Sequence, residues 1–184
     1  MNNEKKDIRV KMEDRYIVAQ GHSDKIRHLK DKRLKKYLHV LSSGWWVLVG
    51  KYADIEPILE EHNLLKNSRR SSEKYVTIAA ATYYTSDLNN LIHAVIDTSI
   101  GKVVRDDRSL LEYSKRYTVD TSIDDIDGVT VIKVTPLDNA ITGVIIGSGG
   151  YRARLISRIL PFKTKLVVRK YIPGLIDLDR PPSI

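Results

Sequence analysis

The sequence predicts an α+β protein in two parts, a small α/β module followed by a unit that runs helix, strand, strand, helix, helix, strand. Three observations predict it. Short alternating apolar stretches and amphipathic stretches at helical spacing replace one another along the whole chain. The chain has 184 residues, 42% of them hydrophobic, enough for a true core in one ordinary domain or two small ones. Late in the chain a glycine-rich turn, Gly147-Ser148-Gly149-Gly150, separates a strongly apolar helical stretch from a basic one. Residues 1–104 are read as the amino-terminal module, 105–172 as the second unit, and 173–184 as a proline-containing tail with Pro173, Pro181 and Pro182.

Taken in order, residues 1–14 are charged, residues 15–20 (RYIVAQ) read as a short strand, and Gly21-His22 as a turn. Ser23 reads as the N-cap of a helix over 23–41, with Ile26, Leu29, Leu34, Leu38 and Leu41 near helical spacing. Lys25, Arg27, Lys32, Arg33, Lys35 and Lys36 fill its other faces as a secondary basic patch, which suits a solvated face and a nucleic-acid contact equally. Ser42-Ser43-Gly44 ends that helix, and residues 45–49 (WWVLV) read as a strand. Its alternation puts Trp45 and Trp46 on opposite faces, one for the core and one for a partner or second layer. Residues 53–62 read as a helix with Pro57 in its first turn, 66–74 as a loop, and 75–84 (YVTIAAATYY) as a strand. A helix capped by Ser86 then runs to Gly101. The two strands of this module are expected to pair with each other, with the two helices stacked on them.

The second unit opens with a short helix at 108–115 and a strand at 116–119, followed by an Asp124-Asp125-Ile126-Asp127-Gly128 turn. A strand follows at 129–134 (VTVIKV), a helix at 138–146, the glycine turn, a helix at 151–160 and a strand at 165–170. Three glycines in four positions leave almost no side chain at that turn, so another backbone can approach and φ > 0 is allowed. The helix after it carries Arg152, Arg154 and Arg158 just past its free amides. Dipole, N–H groups and guanidinium ions therefore all favour a phosphate there. A dinucleotide fingerprint would need glycine where Arg152 stands, and a Walker loop would need Gly-Lys-Ser/Thr, so neither nucleotide motif is present.

Charge narrows the partner. Net charge is +8 and the pI about 9.5, which favours nucleic acid, an anionic surface or an acidic protein. It is segregated: 12 Lys/Arg against 6 Asp/Glu over residues 1–40, 10 against 14 over 41–128, and 9 against 3 over 129–184. The absence of cysteine excludes disulfides and thiolate metal sites. No apolar run reaches the ~20 residues a membrane span needs, and the polar amino end lacks a signal core, so no membrane partner and a cytoplasmic location are expected. His22, His28, His39, His62 and His93 never fall at metal-pair spacing, and Asp124, Asp125 and Asp127 read as a turn. Neither a nucleophile elbow nor an HExxH motif is found. The expectation is therefore a non-enzymatic protein with no cofactor, no metal and no catalytic residue.

The order strand (129–134), helix (138–146), GxxG (147–150), helix (151–160), strand (165–170), with Ile145-Ile146 before the loop and the Leu155, Ile156 and Ile159 spacing after it, resembles the K homology (KH) family. The upstream helix and strand make the resemblance to the type II, NusA-like form. Where that family often has Lys or Arg inside the loop, this sequence has Ser148 and Gly149, with the charge displaced to Arg152 and Arg154. The resemblance implies single-stranded RNA or DNA as partner. Gly147, Ser148, Gly149, Gly150, Tyr151, Arg152, Arg154 and Arg158 would hold about four nucleotides' phosphates. A groove of Val144, Ile145 and Ile156 beside the edge strand, with Lys165 and Arg169, would take the bases. The alternative is an assembly protein, viral or ribonucleoprotein, in which the KH-like fold packs against protein partners or a second copy, as the segregated charge also suits.

Overall fold

The computed structural model describes residues 14–25, 31–41, 44–62 and 80–173, and the fold is α+β. Strands β1 (Tyr16–His22), β2 (Leu38–Val40), β3 (Trp45–Lys51) and β4 (Ala81–Thr85) form an antiparallel sheet in the order β2-β3-β1-β4. The strands read at 45–49 and 75–84 are expected to pair with each other, but β1 lies between β3 and β4. Its residues 17–21 are all buried, and only a central strand covered on both faces buries every position. Residues 75–79 of the expected strand lie outside the described residues.

Side-chain alternation gives this sheet two apolar faces. Ile17, Ala19, Trp46 and Leu48 share one with Leu34 and with Ile55 and Ile58 of helix α1 (Tyr52–Glu61). Val18, Val47, Val49 and Tyr83 share the other with helix α2 (Leu88–Ser99). Trp46 is fully buried, while Trp45 on the opposite face lies with its ring 4.4 Å from that of His22. The turn expected at Gly21-His22 is instead the end of β1. Gly21 faces Trp46 in register, and a Cβ at Gly21 would sit 2.5 Å from the indole nitrogen, so only glycine leaves room for the ring. Pro57 falls in the second turn of α1, not the first, on the exposed side.

A continuous helix over 23–41 does not form. Residues 23–25 and 32–34 make single 3-10 turns, and 38–40 is strand β2. The spacing of Leu34 and Leu41 is helical, but Leu34 packs in the α1 cluster and Leu41 in the α2 cluster, on opposite sides of the sheet. One helix face cannot reach both. Like charges spaced a turn apart, such as Lys32 and Lys36, further weaken an isolated helix. The turn at 32–34 is pinned instead by ions: the Arg33 guanidinium reaches Asp31 at 2.6 Å and Glu61 at 2.8 Å, and His62 Nε2 lies 2.8 Å from Asp31. Hydrogen bonds from Arg33, then His62, hold the Asp31 carboxyl well below the usual carboxylate range.

Helix α2 is the centre of the molecule. From Leu91 to Ser99 only His93 is not buried, and the helix touches β1 and β4 on one side and elements of the second unit on the other. Its cap is Asp87, not Ser86: the Asp87 carboxylate accepts from the Asn90 amide at 2.9 Å. The second unit comprises α3 (Asp107–Ser114), β5 (Tyr117–Ile123), β6 (Thr130–Pro136), α4 (Asn139–Ile146), α5 (Tyr151–Ile159) and β7 (Thr164–Val168). Its sheet runs β5-β6-β7, with β5 antiparallel and β7 parallel to β6. Ile132 and Val134 of β6, Ile141 and Ile145 of α4, and Leu155, Ile156 and Ile159 of α5 join the cluster that holds Val18 and Val47, so one core crosses the 104/105 boundary. Gln20, buried on β1, straps the linker: its side chain accepts from Val104 N at 3.1 Å and donates to the Lys102 carbonyl at 3.4 Å.

Where α2 meets β5, Asp97 is fully buried, and its Oδ1 accepts from the Tyr117 hydroxyl at 2.6 Å while Oδ2 has no partner among the described residues. The His93 ring lies 4.8 Å from the Tyr117 ring. Burial pushes Asp97 up to about 7 and His93 down to about 4. The two act in opposite directions. Between pH 3.8 and about 7 native Asp97 keeps a proton that the unfolded chain has released, so stability falls as pH rises through that window. Between pH 6.5 and about 4 the unfolded chain binds a proton that native His93 refuses, so stability falls as pH drops. In urea melts across this range, Asp97→Asn is expected to gain on the parent as pH rises towards 7. His93→Gln is expected to gain on it as pH falls below 6.5.

Candidate nucleic-acid interface

The loop is fixed from both sides. Asp138 caps α4, accepting from Ile141 N at 2.8 Å, and Arg116 at the start of β5 holds the same carboxylate at 3.0 Å. At the other end the Gly147 N–H donates to the Gly143 carbonyl at 2.9 Å. There the chain turns with φ 72° and ψ 174°, a conformation essentially confined to glycine. A Cβ on Gly147 would lie 2.9 Å from Arg152 Cβ and 3.0 Å from its amide nitrogen, so the loop folds hard against the first turn of α5. Gly149 and Gly150 follow with φ of 59° and 77°, and Ser148 stands exposed between glycines. No side chain caps α5; the Gly150 N–H donates to the Gly147 carbonyl at 3.2 Å and the Tyr151 N–H to the Ser148 carbonyl, and the positive end of the helix dipole faces the exposed loop.

The arginines brace this loop. Arg152 donates to the Val144 carbonyl and Arg154 to the Gly149 carbonyl, at 2.8 Å for the latter. Each bond uses one of five guanidinium donors, so both side chains keep donors for a phosphate. Arg158, a turn beyond Arg154, is exposed. Burial, and after it the charge of Arg158, lowers the pKa of His39 on β2.

The expected groove needs correction. Ile145 and Ile156 are fully buried, because they are the contacts that pack α4 and α5 into the core, and neither lines an open surface. The apolar surface beside the loop is Val144, 38% exposed, and Tyr151, 44% exposed. On β7, Leu166 and Val168 pack toward the helices while Lys165 and Val167 are exposed on the alternate face, so Lys165 does not join the loop. Arg169 is exposed just past β7, its own N–H donating to the Val134 carbonyl at 2.8 Å. In the secondary patch Lys32, Lys35 and Lys36 are exposed and Arg33 is engaged by Asp31 and Glu61. Arg27 and the side chain of Lys25 lie outside the described residues. One sequence signal bears on the site beyond the loop itself: residues 139–176 hold seven Lys/Arg and no Asp or Glu.

The other polar clusters have local roles. Asp124 and Asp127 accept from the amides of Ile126 and Val129 within the β5–β6 turn, at 2.9 and 3.0 Å. Among the described residues no three His, Asp or Glu side chains converge on a metal position, and no helix is long and apolar enough to cross a membrane. No family profile, curated protein or solved structure matches this chain.

Two glycines four residues apart separate the loop's demands from those of its helix. Gly147→Ala is expected to cost about 1–3 kcal/mol in urea denaturation, because both its backbone angles and the Arg152 contact exclude a methyl group. Gly143→Ala, inside α4 with no atom within 4 Å of the added carbon, is expected to gain about 0.5–1 kcal/mol.

Proposed function

We propose that the chain is a non-enzymatic protein that binds single-stranded RNA or DNA at the 147–150 loop, in the manner of a type II KH domain. The observation that carries this is an exposed, side-chain-poor glycine loop on the uncapped amino end of α5, within a stretch of chain that has no acidic residue. The element order α3-β5-β6-α4-GxxG-α5-β7 supports the KH comparison. Phosphates of the strand would take the Ser148 and Gly149 amides and the remaining donors of Arg152 and Arg154, while Val144 and Tyr151 offer apolar and aromatic surface to the bases. Contacts of the first kind position the strand without reading its sequence. Affinity from them falls with salt, with a log–log slope of about −0.7 per phosphate contact on single strands.

The test is a fluorescence titration of single-stranded RNA, single-stranded DNA and duplex at two salt concentrations. It compares the parent chain with Ser148→Asp and with Arg152→Ala/Arg154→Ala. Ser148 is exposed, so the aspartate adds charge at the loop without burying it. Single-strand-selective, salt-sensitive binding that drops about tenfold or more in both variants is the expected result. Binding indifferent to strand type and to all three substitutions would remove the loop from consideration and favour the assembly reading.

A further inference from the structure

A second feature lies at the far end of α5. The segment Leu160-Pro161-Phe162-Lys163, which joins α5 to β7, faces Lys36 and Tyr37 ahead of β2, Lys51 at the end of β3 and Asp54 in the first turn of α1. Together these residues enclose an open cleft of about 490 Å³ between the two halves of the molecule. The volume falls in the range of about 300–1,000 Å³ typical of small-ligand sites. Its chemistry is specific: three ammonium groups against one carboxylate, and two aromatic rings. Lys36 Nζ stands 5.1 Å from the centre of the Tyr37 ring. Both rings are half-buried, Tyr37 packed against the α1 cluster with Lys36 over its ring and Phe162 packed against the central core, so each is held in place and partly exposed to the cleft.

We propose that this cleft is a second subsite for the same single strand, with one or two bases against Tyr37 and Phe162 and the adjoining phosphates on Lys36, Lys51 and Lys163. Aromatic faces accept any base, and a basic groove tracks the backbone, the combination found in sequence-tolerant single-strand sites. Asp54, the one carboxylate in the cleft, can accept from the N3–H of uracil or thymine or from the amino group of another base, and does not suit a phosphate. Continuity with the loop comes from α5 itself. Its nine residues span roughly 13 Å, and Arg154 and Arg158 lie one turn apart along its exposed face between the loop and the cleft. The proposal deepens the loop reading, and the two fail in distinguishable ways.

The probes are oligouridylate and oligothymidylate of four and of twelve residues. The variants are Ser148→Asp for the loop and Lys36→Glu/Lys163→Glu for the cleft, both of whose lysines are exposed. The tetramer is expected to weaken in the loop variant alone. The dodecamer is expected to weaken about tenfold or more in the cleft variant as well, its log–log salt slope losing about 1.4 for two phosphate contacts. Photocrosslinking of a dodecamer carrying 5-iodouridine to the unmodified chain is expected to place adducts on Tyr37 or Phe162. Dodecamer affinity unchanged in Lys36→Glu/Lys163→Glu overturns the subsite, as do crosslinks that avoid both rings. Tetramer affinity unchanged in Ser148→Asp overturns the loop and leaves the cleft to be judged by the other two results.

Discussion

Helix α2 must be hidden on nearly all sides, and the rest of the molecule follows from that requirement. A helix that buries Leu91, Ile92, Ala94, Val95, Ile96, Thr98 and Ser99 together needs cover from two layers, because one sheet hides only one stripe of a helix. The first sheet supplies one layer. The second comes from α3, β5 and α5. The few polar groups on α2 are handled locally: the hydroxyls of Thr98 and Ser99 donate back to the Val95 carbonyl at 3.0 and 2.6 Å, and Tyr117 answers Asp97. Leaving a carboxyl group in such a place makes the junction sensitive to its protonation, with His93 as the opposing group on the same helix.

The position of the glycine loop is a consequence of this packing. α5 lies against α2 through the shared core, and α4 lies against β6 and β7, so the turn between α4 and α5 is held at its two ends by rigid elements. Within the turn, Arg152 and Arg154 close onto main-chain carbonyls. A loop fixed before a ligand arrives loses little further freedom on binding. The same arginines then serve two ends, shaping the loop and offering positive charge, which is why a charge added at Ser148 is a cleaner probe of binding than their removal.

The carboxyl-terminal elements were legible in the sequence because their boundaries carry their own chemistry. Asp138 caps α4, Gly147 ends it in a conformation that needs glycine, and alternation from Ile132 onward marks β6. The basic stretch after Ser23 was not legible, since a helical spacing of leucines says nothing about whether Leu34 and Leu41 belong to the same cluster. Nor was the central place of β1: a strand with buried residues on both faces reads like any short apolar run until its two partners are known. The groove failed for a related reason, because Ile145 and Ile156 have the same spacing whether they line a cleft or fill a core. The cleft at Tyr37 and Phe162 joins residues more than a hundred positions apart, and no local pattern announces it.

The claim that organises all of this is that the 147–150 loop meets the phosphates of a single strand. It is tested most directly by following the backbone amides of nitrogen-15-labelled protein by NMR during titration with single-stranded oligouridylate. Binding at the loop predicts that the largest shifts fall on Ser148, Gly149, Gly150 and Tyr151 and shrink as salt is raised. If those amides stay still while shifts gather on the open face of β5 and β6, or if no amide moves at all, the loop is a structural turn and the claim is wrong.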